Sequence, residues 1–186
     1  MLGLILFRGI SSSIMDWKDL TIKKGRHKST FSWKPFFSRG KIFLFSFNDS
    51  SKYVLPEPHQ LAINKLVGFT DGCINHHKNS FRIGWRYLID TNQVEILSYT
   101  YVDGEMSFKL LSTVDLYTNI SVAVSCEEGH YRVVVDNYKV HYITRSKKIK
   151  WKYKHMLYPY FGGQKVAQNF IYFLVHWKGL PKPKQR

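Results

Sequence analysis

The 186-residue sequence has only two cysteines, Cys73 and Cys126, at a spacing that matches no zinc pattern. They exclude a disulfide-dense scaffold, read as small apolar residues, and favour a reduced compartment. A cytoplasmic or virion-associated setting is thus expected over a secreted one. No apolar run approaches the ~20 residues of a membrane-spanning helix. Acidic residues are scarce, 13 Asp+Glu against 28 Lys+Arg, for a formal net charge of +15. Helical periodicity is nearly absent, and neither a phosphate-cradling glycine loop nor a nucleophile elbow is present. No cofactor and no metal site is expected.

With 44% hydrophobic and 16% aromatic residues, wholesale disorder is excluded despite the charge. A chain of this length is expected to form one domain that buries roughly 70% of its unfolded surface. The charge is located at the ends. Residues 1–48 carry +7, residues 49–136 carry −4, and residues 137–186 carry +12 with no acid at all. That distribution points to a basic patch built by terminal segments, able to concentrate anions nearby. Residues 1–14 are read as an N-terminal extension, too short and too poor in basic leader residues for a secretory signal, with Met15 an alternative start. Residues 15–177 form the domain, and residues 178–186, with Pro181 and Pro183, form a basic flexible tail.

Period-two alternation recurs along the chain. Ile120, Val122, Val124 and Cys126 share one face of a strand, and residues 131–135 follow across Glu127-Glu128-Gly129. Residues 138–143 follow across Asp136-Asn137, the type of pair that tolerates positive φ in hairpins. Further strands are expected at 20–22, 30–37, 41–47, 65–70, 81–87, 94–102, 107–114, 150–158 and 170–177, with one helical turn within 56–63. About a dozen short strands between turns predict an all-β fold, a two-sheet antiparallel β-sandwich or jelly roll.

Two segments carry a resemblance. One is Asn64-Lys65-Leu66-Val67-Gly68-Phe69 leading into His77-Lys78-Asn79-Ser80-Phe81-Arg82-Ile83-Gly84-Trp85-Arg86; the other is Leu157-Tyr158-Pro159-Tyr160-Phe161-Gly162-Gly163. With Thr21-Ile22-Lys23-Lys24-Gly25-Arg26-His27, the chain resembles a family of small bacterial or phage-borne β-sandwich proteins without an established activity. The resemblance covers most of residues 20–177 and implies a concanavalin A-like jelly roll. In that family the second motif continues as Ala-Pro-His plus an acid. Here the chain reads Ala167-Gln168-Asn169-Phe170, so a role for that histidine is absent or moved.

Two constellations carry candidate chemistry. With residues 90–93 as a turn, Tyr87 is expected to face Ile96 and Trp85 to face Ser98. One face then buries Phe81, Ile83, Trp85, Tyr87, Val94 and Ile96. The other presents Arg82, Arg86, Tyr99 and Tyr101, and Tyr158 and Tyr160 can join the same floor. Arginine clamps carboxylate or sulfate through paired N–H groups, and tyrosine offers an apolar stacking face, which suits an acidic glycan. The plainer alternative is that the arginines lie over the tyrosines and pair with Glu95 or Asp103. The second constellation is the run 146–155. As a strand it aligns Lys148, Lys150, Lys152 and Lys154 on one face about 6.5–7 Å apart, near the spacing of successive phosphates. Its alternative is an edge strand that uses lysines against aggregation. His76-His77 lacks accompanying ligands and reads as a loop pair rather than a metal site.

No strand carries two acids on alternate residues, which argues against a sandwich glycosidase, since that chemistry needs paired carboxylates. These readings favour a non-catalytic binding module for an acidic polysaccharide or other polyanion. A phage or virion structural protein, its basic face on nucleic acid or a neighbouring subunit, is the second reading. A polysaccharide lyase using Arg82, Arg86, Tyr99, Tyr101 and His77 is the third.

Overall fold

The structure, a computed structural model, describes residues 18–29, 35–72, 74–149 and 153–180. The expectations for residues 1–14, Cys73, Lys150, Lys152 and Pro181–Arg186 lie outside these residues. Twelve strands are described: β1 (Lys18–Ile22), β2 (Pro35–Phe36), β3 (Gly40–Ser46), β4 (Asn64–Thr70), β5 (Ser80–Leu88) and β6 (Gln93–Val102), then β7 (Glu105–Asp115), β8 (Ile120–Cys126), β9 (His130–Val135), β10 (Lys139–Thr144), β11 (Lys154–Leu157) and β12 (Ile171–Gly179). The helical turn expected within 56–63 is a single 3-10 turn, His59–Leu61.

The strands form two six-stranded sheets, ordered β1-β12-β3-β8-β9-β10 and β2-β11-β4-β5-β6-β7, with antiparallel pairing throughout. The all-β two-sheet sandwich is the fold that the alternating pattern predicts. Alternation works because a strand packed on one face must place every second side chain inward. In β5 the inward set is Phe81, Ile83, Trp85 and Tyr87, all buried. Trp85 meets Phe47 at 5.3 Å and Phe173 at 5.7 Å between ring centroids, so the two sheets lock around one indole.

The β5–β6 register differs from the sequence expectation by two residues. Tyr87 faces Val94 rather than Ile96, and Trp85 faces Ile96 rather than Ser98. The cause is the loop, which runs from Ile89 to Asn92, with Asn92 at φ 53. A slip of two preserves the faces, whereas a slip of one would have exchanged them.

The lysine-bearing strand departs further. In the described part of the run, β11 begins at Lys154, and Lys148 sits in a turn, 3.6 Å from Asp103. Lys154 shares its inward face with the core residue Met156, is almost fully buried, and lies 3.5 Å from the buried carboxylate of Asp71. It is therefore an interior counter-ion and not part of an exposed ridge, because a buried carboxylate demands a cation.

Candidate functional site

The outer face of the second sheet carries a groove of about 450 Å³. Its floor comes from three neighbouring strands: Lys65 on β4, Arg82 on β5, and Tyr99 and Tyr101 on β6. Arg82 lies directly across from Tyr99 in the β5–β6 ladder, which is why their side chains emerge together. Glycines let the floor close up. A Cβ at Gly68 would overlap the Phe81 carbonyl, and one at Gly84 would stand 2.7 Å from the Ile63 side chain.

One wall is the chain leaving β11, with Tyr158 and Tyr160. Tyr160 and Lys65 exchange backbone hydrogen bonds, each N–H donating to the other's carbonyl at 2.8 Å. His27 stacks on the Tyr160 ring at 5.3 Å, and Lys28 beside it lines the groove. The facing wall is the loop before β5, where the rings of His76 and His77 lie 4.1 Å apart and His77 meets the edge of Tyr101 at 5.0 Å.

Arg82 is the centre of this arrangement. It is 8% exposed, one terminal N–H donates to the Tyr158 carbonyl, and its Nε–H is buried with no hydrogen-bond partner. Among the described residues no carboxylate pairs with it. Burial lowers its pKa to about 10, opposed by Tyr99 and Tyr160. Lys65 is similarly strained. Its ammonium donates to the Ile63 carbonyl at 2.7 Å and sits 4.3 Å from the centre of the Tyr99 ring. Burial, then the Arg82 charge, lower its pKa to about 8. His76 is pushed down to about 4, by burial first and then by His77, Arg82 and Lys28, and is neutral near pH 7. Tyr99 is pushed up to about 12 by burial and its hydrogen bond with Tyr101, and so keeps its proton.

Among the described residues no acidic side chain lines the groove. Lys65 and Arg82 therefore repel one another, and an incoming anion would relieve that repulsion.

The structure brings together Arg82, Tyr99, Tyr101, Tyr158 and Tyr160, and it leaves out Arg86. Arg86 sits across from Glu95 on β6 and is bonded to it through Nε, so it takes the pairing that its neighbour's carboxylate offers. Sequence reasoning missed Lys65 and His76 as groove residues. Lys65 was legible only as part of the 64–69 motif, because its place on the floor depends on an irregularity in the β4–β5 ladder between Lys65 and Gly68. Among the described residues no group of metal-binding side chains is found.

No protein-family model matches the chain, and no curated protein matches it significantly in sequence. Solved structures do match. An alginate lyase from Klebsiella pneumoniae superposes with a TM-score of 0.60 at 8% identity, over 78% of this chain and 61% of that one. The alginate lyase AlyC3 gives 0.59 at 8% identity, over 89% and 75%. A structure from work on endo-acting O-glycanases that initiate mucin breakdown in the human gut microbiota gives 0.56 at 10% identity, over 92% and 83%. The chain thus spans 61% of the length of the Klebsiella protein. At these identities the likeness is one of fold: this chain is a two-sheet jelly roll of the concanavalin A-like kind.

Proposed function

We propose that the groove binds an acidic glycan and that the chain acts as a binding module rather than an enzyme. The observation that carries this reading is Arg82, a buried guanidinium with no carboxylate beside it in the groove among the described residues. A uronate carboxylate or a sugar sulfate can accept from Arg82 and Lys65 together, while the faces of Tyr99 and Tyr160 offer apolar surface to the sugar ring. The jelly-roll neighbours include proteins described as alginate lyases, which makes an acidic polysaccharide a natural class to test first. Tyr99 holds its proton, and His76, with its pKa lowered to about 4, is a weak base, so both suit hydrogen bonding more than proton abstraction.

Titration calorimetry with oligouronates, sulfated oligosaccharides and neutral glucans is the test. Acidic oligomers are expected to bind and neutral ones not to. Lys65→Met is expected to weaken binding by about tenfold or more, the range for a charge-assisted hydrogen bond. Wild-type affinity is expected to fall as pH rises through about 8, where free Lys65 loses its proton, and the Met variant is expected to lose that dependence. Arg86→Ala is expected to bind as wild type does. Equal binding of neutral glucan, or full affinity in Lys65→Met, would sink the reading. Release of unsaturated, ultraviolet-absorbing product from a uronate polymer would replace it with a lyase.

A further inference from the structure

We propose that two copies of this chain pair edge to edge through β7, about a twofold axis at Ser107, and join their second sheets into one of twelve strands.

Among the described residues β7 ends its sheet, and Glu105–Leu110 are exposed on both faces. Edge strands are ordinarily blunted by charge, proline or bulges, since an open, regular, apolar edge invites another strand. This one is regular from Glu105 to Leu110, where a register irregularity opposite Ile96 and Leu97 ends it. It also exposes Met106 at 49%, Phe108 at 52% and Leu110 at 48%, all on the face that carries Tyr99 and Tyr101.

The turn fixes which backbone groups are free. Val102 faces Glu105 across the two-residue turn Asp103-Gly104, both at positive φ, so that pair bonds inward. Ser107 and Lys109 then also bond towards β6, and the N–H and C=O groups of Met106 and Phe108 point away from the sheet. An antiparallel partner must match these groups with its own, which restricts self-pairing to axes that keep even residues opposite even residues.

Charge selects among those axes. Centred on Ser107, Glu105 faces the partner's Lys109, Lys109 faces the partner's Glu105, and Met106 faces the partner's Phe108. Centred on Phe108 instead, Lys109 faces the partner's Ser107 and Glu105 faces the partner's Leu111, and no ion pair forms. Residues 105–109 are thus self-complementary in backbone, charge and apolar side chains at a single register, the signature of an isologous contact. Opposite charges directly across a strand pair contribute favourably, and like charges oppose pairing.

Pairing in this register sets the two grooves on one continuous face. Five inter-strand spacings separate the two copies of β5, so the paired Arg82 groups stand about 24 Å apart. On the glycan reading above, one acidic chain longer than that distance engages both grooves and gains avidity. The pairing itself does not depend on that reading.

Sedimentation velocity of the full chain tests the pairing, with twice the 21.9 kDa chain mass as the expected species. Glu105→Lys and Lys109→Glu each create two like-charge contacts and are expected to raise the dimer dissociation constant at least about tenfold. The double variant Glu105→Lys/Lys109→Glu is expected to restore it, a rescue that also controls for misfolding. Ser107→Cys, on the axis, is expected to yield a reducible covalent dimer, because a non-hydrogen-bonded antiparallel pair brings the two cysteines within bridging range. A monomer at every concentration, a dimer untouched by the single swaps, or a double swap that stays monomeric overturns the proposal. So does a monomer in which Phe108→Asp costs glycan affinity, since that assigns the apolar stripe to the ligand. Failure of glycan binding leaves the mass measurement unaffected.

Discussion

Asp71→Ala is expected to lower the unfolding free energy by about 3–5 kcal/mol, the range for removing one partner of a buried ion pair. Asp71 follows β4 and is fully buried. Its carboxylate accepts from the Tyr131 hydroxyl at 2.9 Å and from Arg145 at 2.6 and 3.3 Å, with the Lys154 ammonium 3.5 Å away. These partners come from both sheets: Tyr131 lies on β9 and Lys154 on β11. Burial works against the Arg145 charge, but its bonds to Asp71 more than compensate and raise its pKa. Without the carboxylate, two cations and a hydroxyl would remain between the sheets with nothing to neutralise them. Lys154→Met is expected to cost much less, because the Asp71–Arg145 fork survives it. Urea unfolding monitored by near-ultraviolet dichroism measures both; a loss below 1 kcal/mol for Asp71→Ala would contradict the account.

Arg82→Met is expected to do the opposite, holding or raising stability by up to about 4 kcal/mol while removing glycan binding. Replacing buried charge by an apolar side chain of similar volume is often neutral or stabilising. Here the charge has no carboxylate to lose, only one carbonyl contact and an unused donor. Burial already acts against the cation strongly enough to lower its pKa to about 10. The same residue that strains the fold is the one best placed to hold an anion, a trade-off common at binding sites. The two substitutions are read in the same unfolding assay. A drop of more than about 2 kcal/mol for Arg82→Met would mean that its guanidinium is structural, and retained oligouronate binding would remove it from the site.

Much of the architecture was legible because burial in a sandwich imprints period two. The faces of β5 and β6 follow from alternation even though their register does not, since a four-residue loop moved by one position shifts the pairing by two and preserves the faces. Turn chemistry was readable in the same way: Asp136 and Asn137 both take positive φ. What escaped the sequence was partnership across distance. Arg86 with Glu95 is not such a case: their pairing was the plainer alternative read from the sequence, and the structure bears it out for Arg86. Lys154 looks like its neighbours in a basic run until Asp71, some eighty positions earlier, is placed beside it. The groove wall has the same origin, because Lys65 and Tyr160 meet through backbone bonds that no local pattern announces.

The strand order β1-β12-β3-β8 has a kinetic consequence. The chain's first described strand is held by its last, with Ile22 opposite Ile171, and β12 in turn holds β3. By contrast β4 to β7 and β8 to β10 each run as consecutive hairpins. Closing a long loop before its contacts form is slow, so the two meanders are expected to organise first and the β1–β12–β3 seam last. Pulse-labelled hydrogen exchange during refolding would show β5–β7 amides protected ahead of those in β1 and β12. Simultaneous protection of both sets would instead mean that the sandwich condenses in one step.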